Sequence, residues 1–456
     1  MLTYTIRSAL SRRLNLFKAS HVRSAVFPQL DRGRCDTSVE HTEQVEAVLQ
    51  LLALRGYVCQ PDLELWRRGV SCRHGPLGAE LKRNLLETWW DSVVSSRALV
   101  FGINSLSCSL DRDTRTGLDH VKEVDAKKMT HILAQKELSR EQTIDQLNSL
   151  LHMSPSLRTN FFQGALEQFV PSLELVSRKL PFGLAETGMC FRVHSCGRPG
   201  AVTQTSLVWF CSPRTSSQWL DFWARQRLQW WKKFALCPSD FSISDVPEQD
   251  LDPPASRGVH IFYNFPWGPE PLETLWSRGD NELLQAHNGV RSKLQCREGR
   301  KSVPHVVTAT ANMDQGVMAL LFNSLQHQKS EDSKRKLRQR KVLKLHPVLA
   351  PFKLALDIGK GSTMELRQVC EGLLQELLDS KISAWPGYLE TMPKSLEQLN
   401  ARYDEMGVLF TTVINENTLE NGLLQVRNRD TTVRETMHIS EIKSFLSSFV
   451  SAAQHI

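Results

Sequence analysis

The sequence contains no stretch approaching the ~18 consecutive apolar residues that a membrane-spanning helix requires. No membrane segment is therefore expected. None of the ten cysteines form a C-x-x-C pair or sit beside histidines at zinc-finger spacing. This argues against a structural zinc site and, in a chain of 456 residues, against a disulfide framework. The thiols read as reduced and mostly buried, and neither a cofactor nor a metal is expected. Acids are nearly missing from the start of the chain. Across residues 1–34, Arg7, Arg12, Arg13, Lys18, Arg23, Arg32 and Arg34 face only Asp31. Ile6, Leu10, Leu14 and Phe17 recur there at three- and four-residue spacing among serines. An Arg-rich, acid-poor amphipathic start is the pattern of a mitochondrial transit peptide; the bland alternative is a basic arm.

What is present is ordinary for a globular protein: 41% hydrophobic and 23% charged residues in 51.9 kDa. That size predicts two or three domains. A net charge of +7 permits nucleic-acid binding without establishing it.

In chain order, Val45, Val48, Leu49, Leu51, Leu52 and Leu54 predict a helix closed by Gly56. After Gly75-Pro76-Leu77-Gly78, the residues Leu81, Leu85, Leu86, Trp89, Trp90, Val93 and Val94 share one helical stripe. Residues 123–180 read as helical, with Ser139 and Gln142 forming a capping box and Pro171 interrupting a second segment. Two amphipathic helices inserted as a hairpin must cover their apolar stripes, either on their own domain or against a second copy as a four-helix bundle. Residues 243–258 read as a surface loop. On a helix with Arg225, Arg227, Lys232 and Lys233 lie Trp219, Phe222, Trp223, Trp230 and Trp231. Such interleaving stacks on single strands in some proteins, but a core helix with a solvated basic face is the weightier reading. The run Lys334, Arg335, Lys336, Arg338, Arg340, Lys341 and Lys344 contains no acid. It is either a solvated linker loop or a footprint for duplex phosphates, bound by charge without sequence reading. Strands alternate with helices over the last hundred or so residues, implying a mixed sheet with crossovers.

The stretch Lys179–His194, KLPFGLAETGMCFRVH, resembles the second signature motif of class II aminoacyl-tRNA synthetases, closest to the glycyl type. Arg192 is kept, but Val193 and His194 stand where the family has an Asn-Glu pair. GPLGAELKRNLLETWW resembles the first motif, whose helix builds a two-fold interface; the resemblance implies a homodimer, with Leu85, Trp89, Trp90 and Val93 at its interface. In SLVWF, Val208 and Trp209 replace polar residues that read adenine in the family. Arg278, Asp280 and His287 survive from the segment that shapes the amino-acid pocket; retention for fold stability is the heavier reading. PHVVTATANMDQGVMALLF, residues 304–322, resembles the third motif with Gln315 in place of its phosphate-binding arginine and Asn312 in place of its glycine. A neutral amide offers no charged fork to a phosphate, and adenylation needs that charge. RKVLKLHPVLAP and ARYDEMGVLFTTVINENTLENGLLQVRNRDT resemble the glycyl-type anticodon-binding domain, although Gln398 and Leu399 replace its paired arginines.

The expected fold is α/β (α+β): a class II synthetase-like antiparallel core over residues 40–330 with a helical insertion at 123–180, a basic linker at 331–345, and an anticodon-binding-like mixed α/β domain at 346–456. A degenerate glycyl-type scaffold behind a mitochondrial leader resembles the accessory, processivity-raising subunits of mitochondrial DNA polymerases. The resemblance implies a non-catalytic homodimer in the mitochondrial matrix nucleoid. Its implied partners are the polymerase catalytic subunit and double-stranded primer-template DNA. The rival readings are an active mitochondrial glycyl-type synthetase and a synthetase-derived RNA-binding protein.

Overall fold

A seven-stranded sheet organises the first two thirds of the chain. The computed structural model describes residues 36–59, 73–109, 121–135, 137–193, 199–297, 302–331, 337–359, 363–390 and 395–454. The expected leader at 1–34 lies outside the described residues. The strands of the sheet are β1 (Val100–Gly102), β2 (Phe182–Val193), β3 (Pro199–Cys211), β4 (Phe241–Asp245), β5 (Arg257–Phe265), β6 (Gly268–Gly279) and β7 (His305–Asn312). Their spatial order is β1-β2-β3-β7-β6-β5-β4. Only the β1–β2 pair is parallel. The region read as a loop at 243–258 thus begins as the edge strand β4.

Alternation divides β2, β3 and β7 between two cores. Ala185, Leu207, Trp209 and Ala309 join one cluster, whereas Phe182, Leu184, Val208, Phe210 and Val306 join another. Gly183 lies opposite Trp209 in register, and a Cβ there would come within 2.8 Å of the indole. Only glycine allows that ring to lie flat on the strand.

Helices cover both faces. Helix α1 (Asp36–Leu54) ends beside α2 (Pro76–Trp90), which opens with proline in its first turn, where the missing N–H costs nothing. Leu77, Leu81, Leu85 and Trp89 recur every fourth residue on α2, and all are buried. In the insertion, α3 (Ala126–Ala134) and α4 (Arg140–Met153) form a hairpin, and the Ser139–Gln142 capping box is present. The rest of the region expected to be helical holds instead a two-residue strand, Ser156–Leu157, and two short helices, α5 (Phe162–Glu167) and α6 (Phe169–Leu175). Pro171 sits in the first turn of α6, where its N–H would have had no intrahelical partner. Phe169 packs 4.6 Å from Phe210 and 5.8 Å from Phe182, sealing the second core. Helix α7 (Ser216–Lys233) lays Leu220, Trp223, Trp230 and Trp231 on the first core. These tryptophans are core residues, so they are not a stacking platform for bases. Next come α8 (Asn281–Ala286) and α9 (Met313–Ser324).

Helix α9 runs directly into an antiparallel hairpin, β8 (Leu325–Glu331) and β9 (Leu337–Leu343). The C-terminal unit has the five-stranded order β11-β10-β12-β13-β14, from β10 (Leu354–Ile358), β11 (Ala384–Trp385), β12 (Phe410–Ile414), β13 (Leu423–Asn428) and β14 (Arg434–His438). Helices α10 (Thr363–Asp379), α11 (Leu396–Glu405) and α12 (Ile442–Gln454) complete it. The strand–helix alternation expected there is present. One hydrophobic cluster runs from Val45 and Trp89 through Leu345 and Leu349 to Tyr403 and Phe410. The two units therefore share a core, and the buried Tyr57 hydroxyl donates to the Met406 carbonyl at 2.8 Å.

Candidate nucleic-acid interface

The basic run read as a linker loop is largely strand. Residues from Leu337 to Lys341 pair with Glu331 back to His327, and Lys341 lies opposite His327. A strand accommodates such a sequence because successive side chains leave on opposite faces, and the fully buried Val342 and Leu343 fix its base. Lys334, Arg335 and Lys336 lie outside the described residues. Arg338 falls within β9, and Lys341 and Lys344 are half-buried near the root of the hairpin.

Arg340 is placed differently from its neighbours in sequence. Its Nε donates to Asp404 Oδ2 at 2.6 Å, and its Nη2 donates to the Arg429 carbonyl at 3.0 Å. Asp404, on α11, also accepts both Nη groups of Arg427 at 3.0 and 3.1 Å. Arg429 in turn donates to the Gly407 and Leu345 carbonyls at 3.0 and 2.9 Å. Beyond the hairpin, Lys353 Nζ donates to the carbonyls of Pro347, Val348 and Ala350. Burial pushes that ammonium down to about 8, with Glu80 opposing the shift. Sequence reasoning missed Asp404, Arg427 and Arg429. The one signal for the two arginines is the R-x-R spacing at the end of β13, with Arg427 in the strand and Arg429 just past it.

The degenerate synthetase positions have other employment. Gln315 lies in the first turn of α9, where Asn312 is the N-cap. The Asn312 Oδ1 accepts the Gln315 N–H at 3.2 Å, and its amide donates to Gln315 Oε1 at 3.4 Å. A neutral side chain held in a cap supplies no cation to a phosphate. Arg192 is exposed near the end of β2. His194 lies outside the described residues. Arg278 donates to Asp252 at 2.5 Å and to Glu282 at 3.2 Å, and stacks 5.0 Å over Phe162 of the insertion. His287 Nε2 donates to the Leu166 carbonyl at 2.9 Å. Asp314 accepts from His74, Lys82 and the Thr203 N–H. Burial opposes its ionisation, but these three partners together hold its carboxyl below the usual range.

Three of the four residues expected at a two-fold interface are buried within the chain itself. Leu85 is 0% exposed, and Trp89 and Val93 are each 1% exposed, within this one chain. Their side chains are already committed to its own core and have no surface left for a second copy. Trp90 is half-buried, and its ring packs over Gly102.

Comparison with known proteins decides the lineage. The chain is 46% identical over 434 residues to DNA polymerase subunit gamma-2 of Mus musculus, covering 91% of this chain and 93% of the relative. It is 48% identical over 395 residues to DNA polymerase subunit gamma-2, mitochondrial, of Xenopus laevis, covering 84% and 82% respectively. The chain belongs to the DNA polymerase subunit gamma-2 family. The expectation of a polymerase accessory subunit on a synthetase scaffold is thereby borne out, and the active-synthetase reading gives way. Glycine–tRNA ligase of Mycolicibacterium paratuberculosis is a more distant relative, 25% identical over 461 residues that cover 89% of this chain and 97% of the ligase. Prolyl-tRNA synthetase of Cryptosporidium parvum shares the fold, with a TM-score of 0.60 at 11% identity over 90% of this chain and 75% of that one. Residues 355–449 match the family model described as Anticodon binding domain. This chain thus combines a tRNA-synthetase-like fold with a C-terminal anticodon-binding domain.

Proposed function

We propose that this protein is a non-catalytic accessory subunit that holds a mitochondrial DNA polymerase catalytic subunit on double-stranded primer-template and raises its processivity. The observation that carries the reading is Gln315: in a polymerase-subunit lineage, the position that needs a phosphate-binding cation holds a neutral amide that accepts from the Asn312 side chain. Slower dissociation lengthens the product because tuning of related complexes acts mostly on the off-rate. The basic segment of sequence with Lys334, Arg335, Lys336, Arg338, Lys341 and Lys344 is assigned to duplex phosphates. The C-terminal unit is the face assigned to the catalytic subunit, in a mitochondrial matrix nucleoid. Among the described residues no helix is long and apolar enough to cross a membrane.

The homodimer is assigned to the α3–α4 hairpin instead of α2. Neither helix has a buried residue among those described, and Leu133 and Ile144 are 60% and 42% exposed. A second copy covers such stripes by forming a four-helix bundle.

The test is extension of a singly primed template by the catalytic subunit, with and without this protein, under single-binding conditions at moderate salt. Longer products per binding event are expected. Unchanged lengths refute the proposal and direct attention to structured RNA as the ligand.

A further inference from the structure

The sequence offers seven bases as phosphate contacts, but the structure sets one of them apart. Among the described side chains of the run, Arg340 is the one tied down twice inside the protein, to a carboxylate and to a backbone carbonyl. Its side chain is 17% exposed, Arg427 is 8% exposed, and Asp404 between them is 1% exposed. Three elements meet at this carboxylate: β9 of the hairpin, helix α11 and strand β13. We infer that Asp404 with Arg340 and Arg427 forms a buried clamp that sets the direction of the basic hairpin, so that Arg340 is a positioning residue and not a phosphate contact. The inference deepens the duplex-binding reading above and rests on it for its DNA arm only.

The chemistry supports a fixed geometry over a merely attractive one. Arg427 meets both carboxylate oxygens with two parallel N–H donors, the fork–fork arrangement that restricts angle as well as distance. Arg340 adds a third charge-assisted bond to Oδ2, and its other end is fixed by the Arg429 carbonyl. Arg429 reaches the Leu345 carbonyl two residues past β9, and the Lys344 N–H reaches the Ser324 carbonyl at 2.7 Å, just before β8. Both ends of the hairpin are thus fixed, one of them to the C-terminal sheet through buried charge. A hairpin of two strands alone is marginal in water, so its orientation depends on these attachments. With Nε and Nη2 both committed inside the protein, the side chain serves position before it serves a phosphate.

The prediction separates position from charge. Each phosphate contact contributes about 0.9 to the slope of log K against log salt on B-form DNA. In the full-length protein, Arg340→Gln should weaken binding to a short duplex roughly tenfold, as members of one buried network do, without changing that slope. Lys341→Gln should lower the slope by about 0.9. Asp404→Asn should act as Arg340→Gln does, and the double variant should be no weaker than the worse single. Hydrogen exchange gives a readout independent of DNA: both single variants should raise exchange at residues 325–331 and 337–343 while distant elements of the core sheet stay protected. Arg340→Gln keeps the Arg427–Asp404 pair, so it remains informative if Asp404→Asn fails to fold. A slope reduced by about 0.9 in Arg340→Gln would show a phosphate contact and overturn the assignment. Unchanged hairpin exchange in Arg340→Gln would overturn the clamp itself. If the unsubstituted protein shows no salt-dependent duplex binding, the DNA reading fails, and the exchange experiment still decides the clamp.

Discussion

Leu85→Ala distinguishes a core helix from an interface helix, a choice that α2 leaves open in sequence. Leu85 is 0% exposed, one turn from Leu81 at 0% and Trp89 at 1%. Removing its three outer carbons forfeits roughly 2–3 kcal/mol of transfer free energy at ~0.8 kcal/mol per methylene-sized group. The cavity left in close-packed surroundings brings the expected total to about 3–5 kcal/mol. The loss belongs to the chain itself and is therefore independent of protein concentration. The assay is urea unfolding at two concentrations tenfold apart, with sedimentation velocity reporting subunit dissociation. The expected result is a lowered midpoint at both concentrations with the slope against urea unchanged. If Leu85 instead faced a second copy, a 2.7 kcal/mol loss would appear as a dissociation constant raised roughly 100-fold. Unfolding of the dissociated chain would then be untouched, and that outcome would sink the placement of α2 in the core.

Three further outcomes follow from buried charge. Glu273→Gln removes the carboxylate that accepts from Arg227 Nε and Trp231 Nε1, both at 2.8 Å. It should cost about 3–5 kcal/mol in the same unfolding assay, because a guanidinium left buried without its counter-charge is worse than no pair at all. Burial first, then Lys233, Lys353 and Arg429, push His346 down to about 4. The unfolded chain therefore takes up the proton at higher pH than the folded one. Stability from this group is full above about pH 6.5 and is lost as pH falls toward 4, by up to ~3 kcal/mol. His346→Gln should flatten that limb of the stability–pH profile. Asp314 carries a depressed carboxyl. Its contribution is full above its ordinary carboxylate value and disappears only as pH falls below it, so Asp314→Asn should reduce stability at neutral pH and abolish the loss seen below that ordinary value.

Periodic stretches were legible because backbone geometry writes them into sequence. The helical spacing of Leu81, Leu85, Trp89 and Val93 made α2 readable, and the apolar run SLVWF falls in β3. Spacing does not say what a buried face is buried against, so the same α2 stripe also fitted a two-fold interface. Charge density misled at 334–344 for a related reason. A run of bases reads as solvated loop unless one knows that β8 pairs with it and that Asp404, more than sixty residues later, neutralises one member. The place of Gln315 at the helix end was hidden behind a missing arginine: sequence showed what the position had lost, and only the structure showed that its backbone N–H meets the Asn312 cap and its side-chain oxygen the Asn312 amide.

Arg278 and His287 raise the converse question, since both survive where the neighbouring chemistry is gone. The structure gives each a mechanical use. Arg278 stacks on Phe162 and His287 holds the Leu166 carbonyl, so both brace α5, and Phe169 behind it carries the second core. Retention then reflects packing of the insertion and needs no small-molecule ligand. His287→Ala leaves a partly buried carbonyl without its donor and should cost about 1–3 kcal/mol. The loss should be local: raised exchange over residues 162–175, with the basic hairpin and C-terminal sheet unaffected. Equal protection of 162–175 in the variant and the parent would refute the bracing role and reopen the pocket as a place where a ligand is held.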